Sequence, residues 1–386
     1  MVFSNKPLQF IVTVLVACLP LFSSANTPTD SVAAKTEATP VEATAHGEAT
    51  THEKHEEPTD LKSKINAYIN HHVLDAHEFS LFEDEATGKH YGFPLPIILW
   101  DNGVHIFSSS KFEHGHAVAE SNGNYYKLGH DEKIYKTDAA GTLTGEEHHP
   151  TNAKPIDLSI TKAVFSMMLV ALLMFLLFKG LAKSYVKNGG IASGVGRFFE
   201  PIVLYVRDDI AIPNIGEKHY KKYMSFLLTV FFFIWFLNII GLTPLGINAT
   251  GNITVTACLA IVVFLITNLT ANKNYWGHIF WMPGVPTLMK FILAPIELLG
   301  VIIKPFSLMI RLYANIFAGH IVLMSLIALM FIFKSWLGSS LSFLLSFAIS
   351  SIEILVALLQ AYIFTMLSAL FFGAAVEEHH HEEAHH

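Results

Sequence analysis

The chain has 386 residues, of which 52% are hydrophobic, 12% aromatic and only 15% charged, a balance too poor in charge for an ordinary soluble domain and typical of a membrane protein. Its formal net charge of −7 hides an uneven distribution: residues 26–157 carry 10 Lys against 22 acids, residues 158–376 carry 14 Lys or Arg against 6 acids, and the last ten residues add four acids. An acidic water-facing part, a basic membrane part and an acidic tail follow, and the only two cysteines, Cys18 and Cys258, exclude a disulfide framework and a cysteine-based metal site.

Residues 1–25 read as an export signal: Lys6, an apolar run over 8–22, and the small residues Ser23, Ser24 and Ala25 before a cleavage point. Lipoprotein processing at Cys18 and an uncleaved anchor are the alternatives. Residues 26–60, rich in Ala, Thr, Glu and His, cannot bury enough surface to offset chain entropy and are expected to be disordered. Large apolar residues return over 61–157, where Asp101-Asn102-Gly103 and Ser121-Asn122-Gly123 separate apolar runs and predict hairpins in a small β-containing extracytoplasmic region. Thirteen of the 21 histidines fall between His46 and His149 and five more close the chain, but without fixed ligand spacing they read as solvated surface. No metal or other cofactor is expected.

From residue 158 to 376 the chain reads as an all-α polytopic membrane domain with five helices, over about 160–181, 224–247, 253–271, 289–333 and 339–374, ahead of an acidic His-rich tail at 377–386. Lys179, Lys183 and Lys187 follow the first span, which places them in the cytoplasm and the N-terminal part outside. Residues 194–215 mix Phe198, Phe199, Ile202 and Ile210 with Arg197, Glu200, Arg207, Asp208 and Asp209, as suits a helix on the membrane surface. The last two apolar stretches exceed a perpendicular span, so these helices must tilt, bend or break, with Pro295 and Pro305 as candidate bend points.

Only three arginines occur, and Arg311 lies deep within the fourth stretch. A guanidinium at such depth costs at least ~2.5–3.5 kcal/mol, so the default reading is functional, with a structural ion pair as the alternative. Glu297, Lys304 and Arg311 are seven residues apart and share one helix face, Asn315 lies near the same stripe, and His320 is rotated about half a turn away. On the last helix Glu353 and Gln360 share a face.

The segment Ser307-Leu308-Met309-Ile310-Arg311-Leu312-Tyr313-Ala314-Asn315-Ile316-Phe317-Ala318-Gly319-His320 resembles the arginine-bearing segment of the F-type ATP synthase subunit a family, and the run from Glu353 through Gln360 to Phe364 resembles its last helix. Weaker similarity extends over 64–373, including Ile69-Asn70-His71-His72-Val73 and the stretch from Asn238 to Pro244. The resemblance implies a stator that passes protons to and from membrane carboxylates on a rotating c-ring through two aqueous half-channels. Arg311 would separate the half-channels, since a guanidinium stays protonated and cannot relay a proton. His320 and Glu353 would line the inlet, Glu297 the outlet, and Asn315 and Gln360 would support Arg311, with Ser307, Lys304 and Asn238 as further supporting residues. At Gly241 some members carry an acid. Partners implied are the c-ring, peripheral stalk subunit b, the rest of the ATP synthase complex and membrane lipid, with no nucleic acid. The place implied is the bacterial inner membrane, N-terminus outside and C-terminus in the cytoplasm. Without a glycine-rich phosphate loop the chain is expected to be a non-catalytic subunit that leaves ATP to other chains. A secondary transporter would show paired repeats with interrupted helices, and no matching half is found.

Overall fold

The structure is a computed structural model and describes residues 75–84, 89–115, 117–129, 131–146, 149–187, 189, 194, 196–243, 249–282, 285–332 and 336–377. The expected export signal, the acidic stretch 26–60, residues 69–73 and the tail beyond residue 377 lie outside these residues.

The first part is a cap of short antiparallel strands: β1 (Glu78–Asp84) pairs with β2 (Lys89–Pro94), β3 (Pro96–Trp100) lies between β4 (Val104–Ser108) and β10 (Ile156–Asp157), β6 (Asn124–Leu128) lies between β5 (Ala119–Ser121) and β7 (Ile134–Thr137), and β8 (Gly145–Glu146) pairs with β9 (His149–Pro150). Both expected hairpins are present. Trp100 pairs with Val104 across a three-residue loop, and Ser121 pairs with Asn124 across Asn122-Gly123. Asn122 and Gly123 have φ of 51° and 77°, the left-handed pair that a type I′ turn requires. Inward-facing Ile97, Leu99, Phe107, Phe112, Tyr126 and Ile134 form the small core beneath the sheets. Lys136 Nζ lies 2.6 Å from Asp101 Oδ2 and holds that carboxyl below the usual range, while burial together with Asp101 pushes the Tyr126 phenol up to about 12.

The cap is locked onto the helical part through the start of α1 (Lys162–Lys187). The Leu158 amide donates to the Ile98 carbonyl at 2.8 Å and the Ile160 amide to the Pro96 carbonyl at 3.2 Å, so the chain leaving β10 stays hydrogen-bonded to β3 until the helix begins. Two amides of the first turn of α1, which a helix cannot satisfy by itself, donate to distant partners: Lys162 to the Ala76 carbonyl and Ala163 to the Asp75 carboxylate, both at 3.1 Å. Phe79 and Leu95 then pack against Phe165 and Ile240, seating the cap on the helix ends.

After α1 the chain forms α2 (Gly196–Tyr205), a π-helical turn (Val206–Ala211) and α3 (Ile212–Ile215), then α4 (Tyr220–Gly241), α5 (Ile253–Thr270), α6 (Lys273–Phe280), α7 (Thr287–Ile332) and α8 (Trp336–Val376). Five of them, α1, α4, α5, α7 and α8, are long and apolar enough to cross a membrane. Their shared core is rich in aromatic side chains, among them Phe226, Phe231, Phe232, Phe364 and Phe372.

Three features differ from the sequence expectation. First, α4 ends at Gly241, where the Leu242 amide folds back onto the carbonyls of Asn238, Ile239 and Ile240; residues 244–247 of the expected span lie outside the described residues. Second, the segment 194–215 does not lie wholly on a surface, because Val206, Ile210, Ala211 and Ile215 are buried in the bundle core while Asp208 and Asp209 stay exposed. Third, of the tilt, bend or break that the length of this stretch allows, a break is absent: α7 is one continuous helix of 46 residues that includes Pro295 and Pro305. At 1.5 Å per residue α7 is roughly 69 Å long, more than twice a hydrocarbon thickness of about 30 Å.

Close approach fixes where α8 ends. A methyl group on Gly373 would overlap the Asn214 carbonyl oxygen of α3, with backbone on both sides and nothing free to yield. The Asn272 amide and side chain donate to the carbonyls of Ala375 at 2.8 Å and Val376 at 3.0 Å, capping the last turn of α8.

Gly373→Ala is expected to destabilise the bundle by on the order of 1–3 kcal/mol, seen as a lower midpoint in thermal unfolding of the detergent-solubilised protein. Gly180→Ala, which meets nothing within 4 Å, leaves that midpoint within error.

In the cap, His77 Nε2 and Asp157 Oδ2 are 2.7 Å apart. Burial opposes the charged form of both groups, yet their mutual hydrogen bond and attraction outweigh it, raising His77 and lowering Asp157. The His77 contribution is therefore complete below its unfolded value and is lost as pH rises through its folded one; the Asp157 contribution is present above its unfolded value and is lost as pH falls through its folded one. His77→Ala is expected to cost on the order of 3 kcal/mol below the unfolded value of His77 and progressively less as pH rises through its raised folded value, measured as amide hydrogen exchange of β3 in the intact protein.

Candidate functional site

Helix α7 has two unlike faces. Val301, Leu308, Leu312, Ile316 and His320 are buried against the rest of the bundle, whereas Lys304, Phe306, Ser307, Ile310, Arg311 and Asn315 are exposed. Helix α8 continues the exposed apolar surface with Ile352, Ile354, Leu355, Leu358 and Leu359. Arg311 stands near the middle of α7 on this surface. At 1.5 Å per residue it is roughly 21 Å along the helix from Glu297 and roughly 14 Å from His320, which the rotation places on the opposite face. Among the described residues no hydrogen bond or ion pair holds the Arg311 guanidinium.

Toward the cap end from Arg311, Glu353 of α8 meets α7 at Gly319. Both carboxylate oxygens of Glu353 are buried and have no hydrogen-bond partner among the described residues. A Cβ on Gly319 would come within 2.6 Å of Glu353 Oε1, so the absent side chain is what makes room for the carboxyl group. His320 is the next residue and is 8% exposed. Glu353 thus lies against the residue that precedes His320, with no hydrogen bond between Glu353 and His320 among the described residues. Gln360, two turns along α8 from Glu353, is 3% exposed. Asn238 has a joining role: its side-chain amide donates to the Ala357 carbonyl of α8 at 3.4 Å and its carbonyl accepts from Thr250 Oγ1 at 2.8 Å, tying α4, α8 and the start of α5 together.

At the other end of α7 a cavity of about 210 Å³ opens between α6, α7 and the last turn of α8. Glu297 and Lys304 line it together with Asn274, Tyr275, His278 and Glu377. Burial, and then the neighbouring Glu297 charge, push the Tyr275 phenol upward. The sequence reading missed α6 altogether. The signal was there: Asn272 in the N-cap position before a run in which Tyr275, Trp276 and Phe280 alternate with Lys273 and His278, short and amphipathic. Trp281 beyond it is packed under the Lys290 ammonium at 4.5 Å. Among the described residues no group of three His, Cys, Asp or Glu side chains could hold a metal ion.

Five apolar spans with an unpaired guanidinium at midhelix, a buried carboxyl on one side and a polar cavity on the other define a multi-pass membrane protein with ionisable groups at bilayer depth. Residues 164–373 match the ATP synthase A chain family, and the cap, over residues 68–158, matches a domain of unknown function, DUF8433. The chain is 44% identical over 237 residues to ATP synthase subunit a of Chloroherpeton thalassium, covering 60% of this chain and 70% of that one. With ATP synthase subunit a 2 of Prosthecochloris aestuarii it shares 36% over 313 residues, 77% of this chain and 95% of the relative, and with ATP synthase subunit a of Myxococcus xanthus 42% over 241 residues, 60% and 77%. The chain belongs to the ATP synthase A chain family, and so to the membrane sector of that complex.

Gly319→Ala is expected to displace the Glu353 carboxyl while leaving the backbone in place, because the atom it meets is the end of a flexible side chain. The level of assembled complex stays normal and ATP-driven proton pumping in membrane vesicles falls by roughly an order of magnitude.

Proposed function

We propose that α7 and α8 form the wall against which a c-ring turns, and that this subunit passes protons to and from the ring carboxylates through two half-channels that Arg311 keeps apart. The observation that carries this reading is the position of Arg311: a permanent cation on an exposed, mainly apolar face beside Ser307 and Asn315, with no ion partner among the described residues of its own chain. Such a charge is compensated within a bilayer only if a partner brings an anion to it. A rotating ring of carboxylates does so in turn. The guanidinium attracts each ionised carboxylate and favours its deprotonation, yet being always protonated it relays nothing itself.

The inlet lies toward the cap, with Glu353 beside Gly319 and His320 as its ionisable lining; a carboxyl group with no fixed hydrogen bond is free to exchange protons with water or with the ring. The outlet is the cavity at Glu297. Asn315 and Ser307 extend the polar stripe around Arg311, Gln360 is its buried polar support on α8, Lys304 sits at the inner edge of the outlet, and Asn238 holds α8 in place. The cap faces outside and the α6 end the cytoplasm, an orientation supported by Lys179, Lys183 and Lys187 at the far end of α1. On this reading the subunit is non-catalytic, works in the bacterial inner membrane beside peripheral stalk subunit b, and takes protons as its ion.

Arg311→Ala, at matched assembly, is expected to abolish ATP-driven proton pumping and to raise passive proton leak through the membrane sector, both followed with a pH-sensitive dye in inverted vesicles. Pumping at the wild-type rate would reduce Arg311 to a structural cation.

A further inference from the structure

The outer side of α1 changes character along its length. Leu172, Phe175 and Leu176 are exposed, and helical rotation puts Lys179, Lys183, Val186 and Lys187, exposed as well, on the same face further along. The three lysines stand one turn apart, about 6 Å from each to the next. Val186, between the last two, is 88% exposed, so apolar surface continues in among the charges. The inner side of α1 is already occupied. Val170, Met174 and Leu181 are buried there, and α2 packs on that side: a Cβ on Gly196 would come within 2.8 Å of Leu181 Cδ1, and the Tyr185 hydroxyl donates to Glu200 Oε1 at 2.8 Å. That bond keeps the one acid of α2 away from the lysines. Among the described residues no ion pair reaches Lys179, Lys183 or Lys187; the Lys179 ammonium lies over the Phe175 ring, 5.6 Å from its centre.

Two observations select an occupant for this face. Three uncompensated cations on successive turns repel one another and favour an anion beside them. The apolar side chains one turn away, on the same face, offer a surface for hydrocarbon chains that an inorganic anion or an acidic peptide would leave uncovered. We propose that Lys179, Lys183 and Lys187 bind the phosphate headgroup of an anionic phospholipid whose acyl chains lie along Leu172, Phe175 and Leu176. Each ammonium sits on a flexible four-carbon stem and meets the phosphate oxygens as a point charge. The lipid belongs to the leaflet opposite the cap, and it sets the depth of α1, the span to which the cap is hydrogen-bonded. The site stands on α1 alone and does not rest on the half-channel reading.

The test uses the assembled complex in phosphatidylcholine vesicles that contain a trace of a photoactivatable lipid, either phosphatidylglycerol or phosphatidylcholine, with the same diazirine-bearing acyl chain. After illumination, adducts on residues 172–187 are quantified by mass spectrometry. One lysine near an anionic headgroup is worth about a five-fold preference, so phosphatidylglycerol is expected to label this segment at least about five-fold more than phosphatidylcholine. Changing Lys179→Gln, Lys183→Gln and Lys187→Gln together is expected to make the two equal at matched assembly. Lys221→Gln with Lys222→Gln, at exposed positions of α4, leaves the preference intact. Equal labelling in the wild type, a preference that survives the triple change, or one lost equally with the α4 pair would each overturn the proposal. So would its loss on adding millimolar inorganic phosphate, which would make the occupant a free anion, or the absence of adducts from both lipids, which would mean that another chain covers the face. Should the triple variant fail to assemble, Lys183→Gln alone decides: it is expected to roughly halve the preference, and an unchanged ratio overturns the site.

Discussion

A guanidinium keeps its charge at any pH a cell reaches, and in the middle of an apolar helix that charge must be compensated by something. Most proteins that bury arginine answer with a carboxylate from the same chain. Here α7 carries Arg311 on the face that its own bundle leaves open, and among the described residues no acid reaches it. Around it α7 exposes Ile302, Ile303, Phe306 and Ile310, and α8 exposes Ile352, Ile354, Leu355, Leu358 and Leu359. A membrane face of this kind is stable against lipid except along the stripe of Lys304, Ser307, Arg311 and Asn315, and the cation at its centre sets what a partner must bring. The length of α7 follows from the same constraint. A helix of 46 residues can present a polar group at each end and the cation between them, which a perpendicular span could not.

Holding such a face in register takes devices that are small in volume. Gly373 lets α8 lie against α3, Gly319 gives the Glu353 carboxyl its place, and Asn272 closes the last turn of α8. Each is a position where one added methyl group or one lost amide changes a helix-to-helix distance. Protein interiors, once packed, shift rather than compress, so the effect is carried toward the Arg311 surface. Asn238 works on the same principle by hydrogen bonding, joining three elements near the level of Ala357. The cap is joined to the other end of the bundle. Asp75 and Ala76 satisfy the first amides of α1, and the Phe79 and Leu95 side chains close over Phe165 and Ile240, so the strands and the spans meet through a specific joint. The His77–Asp157 pair, 2.7 Å apart, adds an ionisable contact to that joint, with His77 raised and Asp157 lowered by their mutual hydrogen bond and attraction.

Much of this was legible in the chain. Composition alone placed it in a membrane, runs of apolar residues gave five spans, and a seven-residue spacing put Glu297, Lys304 and Arg311 on one stripe with His320 behind it. Helical periodicity is a property of the sequence, so which residues share a face can be read directly. Asn122-Gly123 announced its hairpin because few other pairs adopt two positive φ values in succession. By contrast, α6 was passed over because eight residues with mixed polarity give too short a periodic signal, and the end of α4 was misplaced because hydropathy continues past Gly241 while backbone hydrogen bonding does not.

The sequence by itself determined the membrane class, the family and the identity of the charged residues, since these depend on composition and on order along one helix. Only the tertiary structure decided that Arg311 faces away from its own chain, that Glu353 is accommodated at Gly319, that Pro295 and Pro305 stay within an unbroken helix, and that Tyr275, Glu297 and Lys304 line one cavity. Each of these turns on the distance between elements far apart in the chain. Local periodicity carries no information about such distances; they are set by how closely glycine, asparagine and aromatic surfaces allow whole helices to approach.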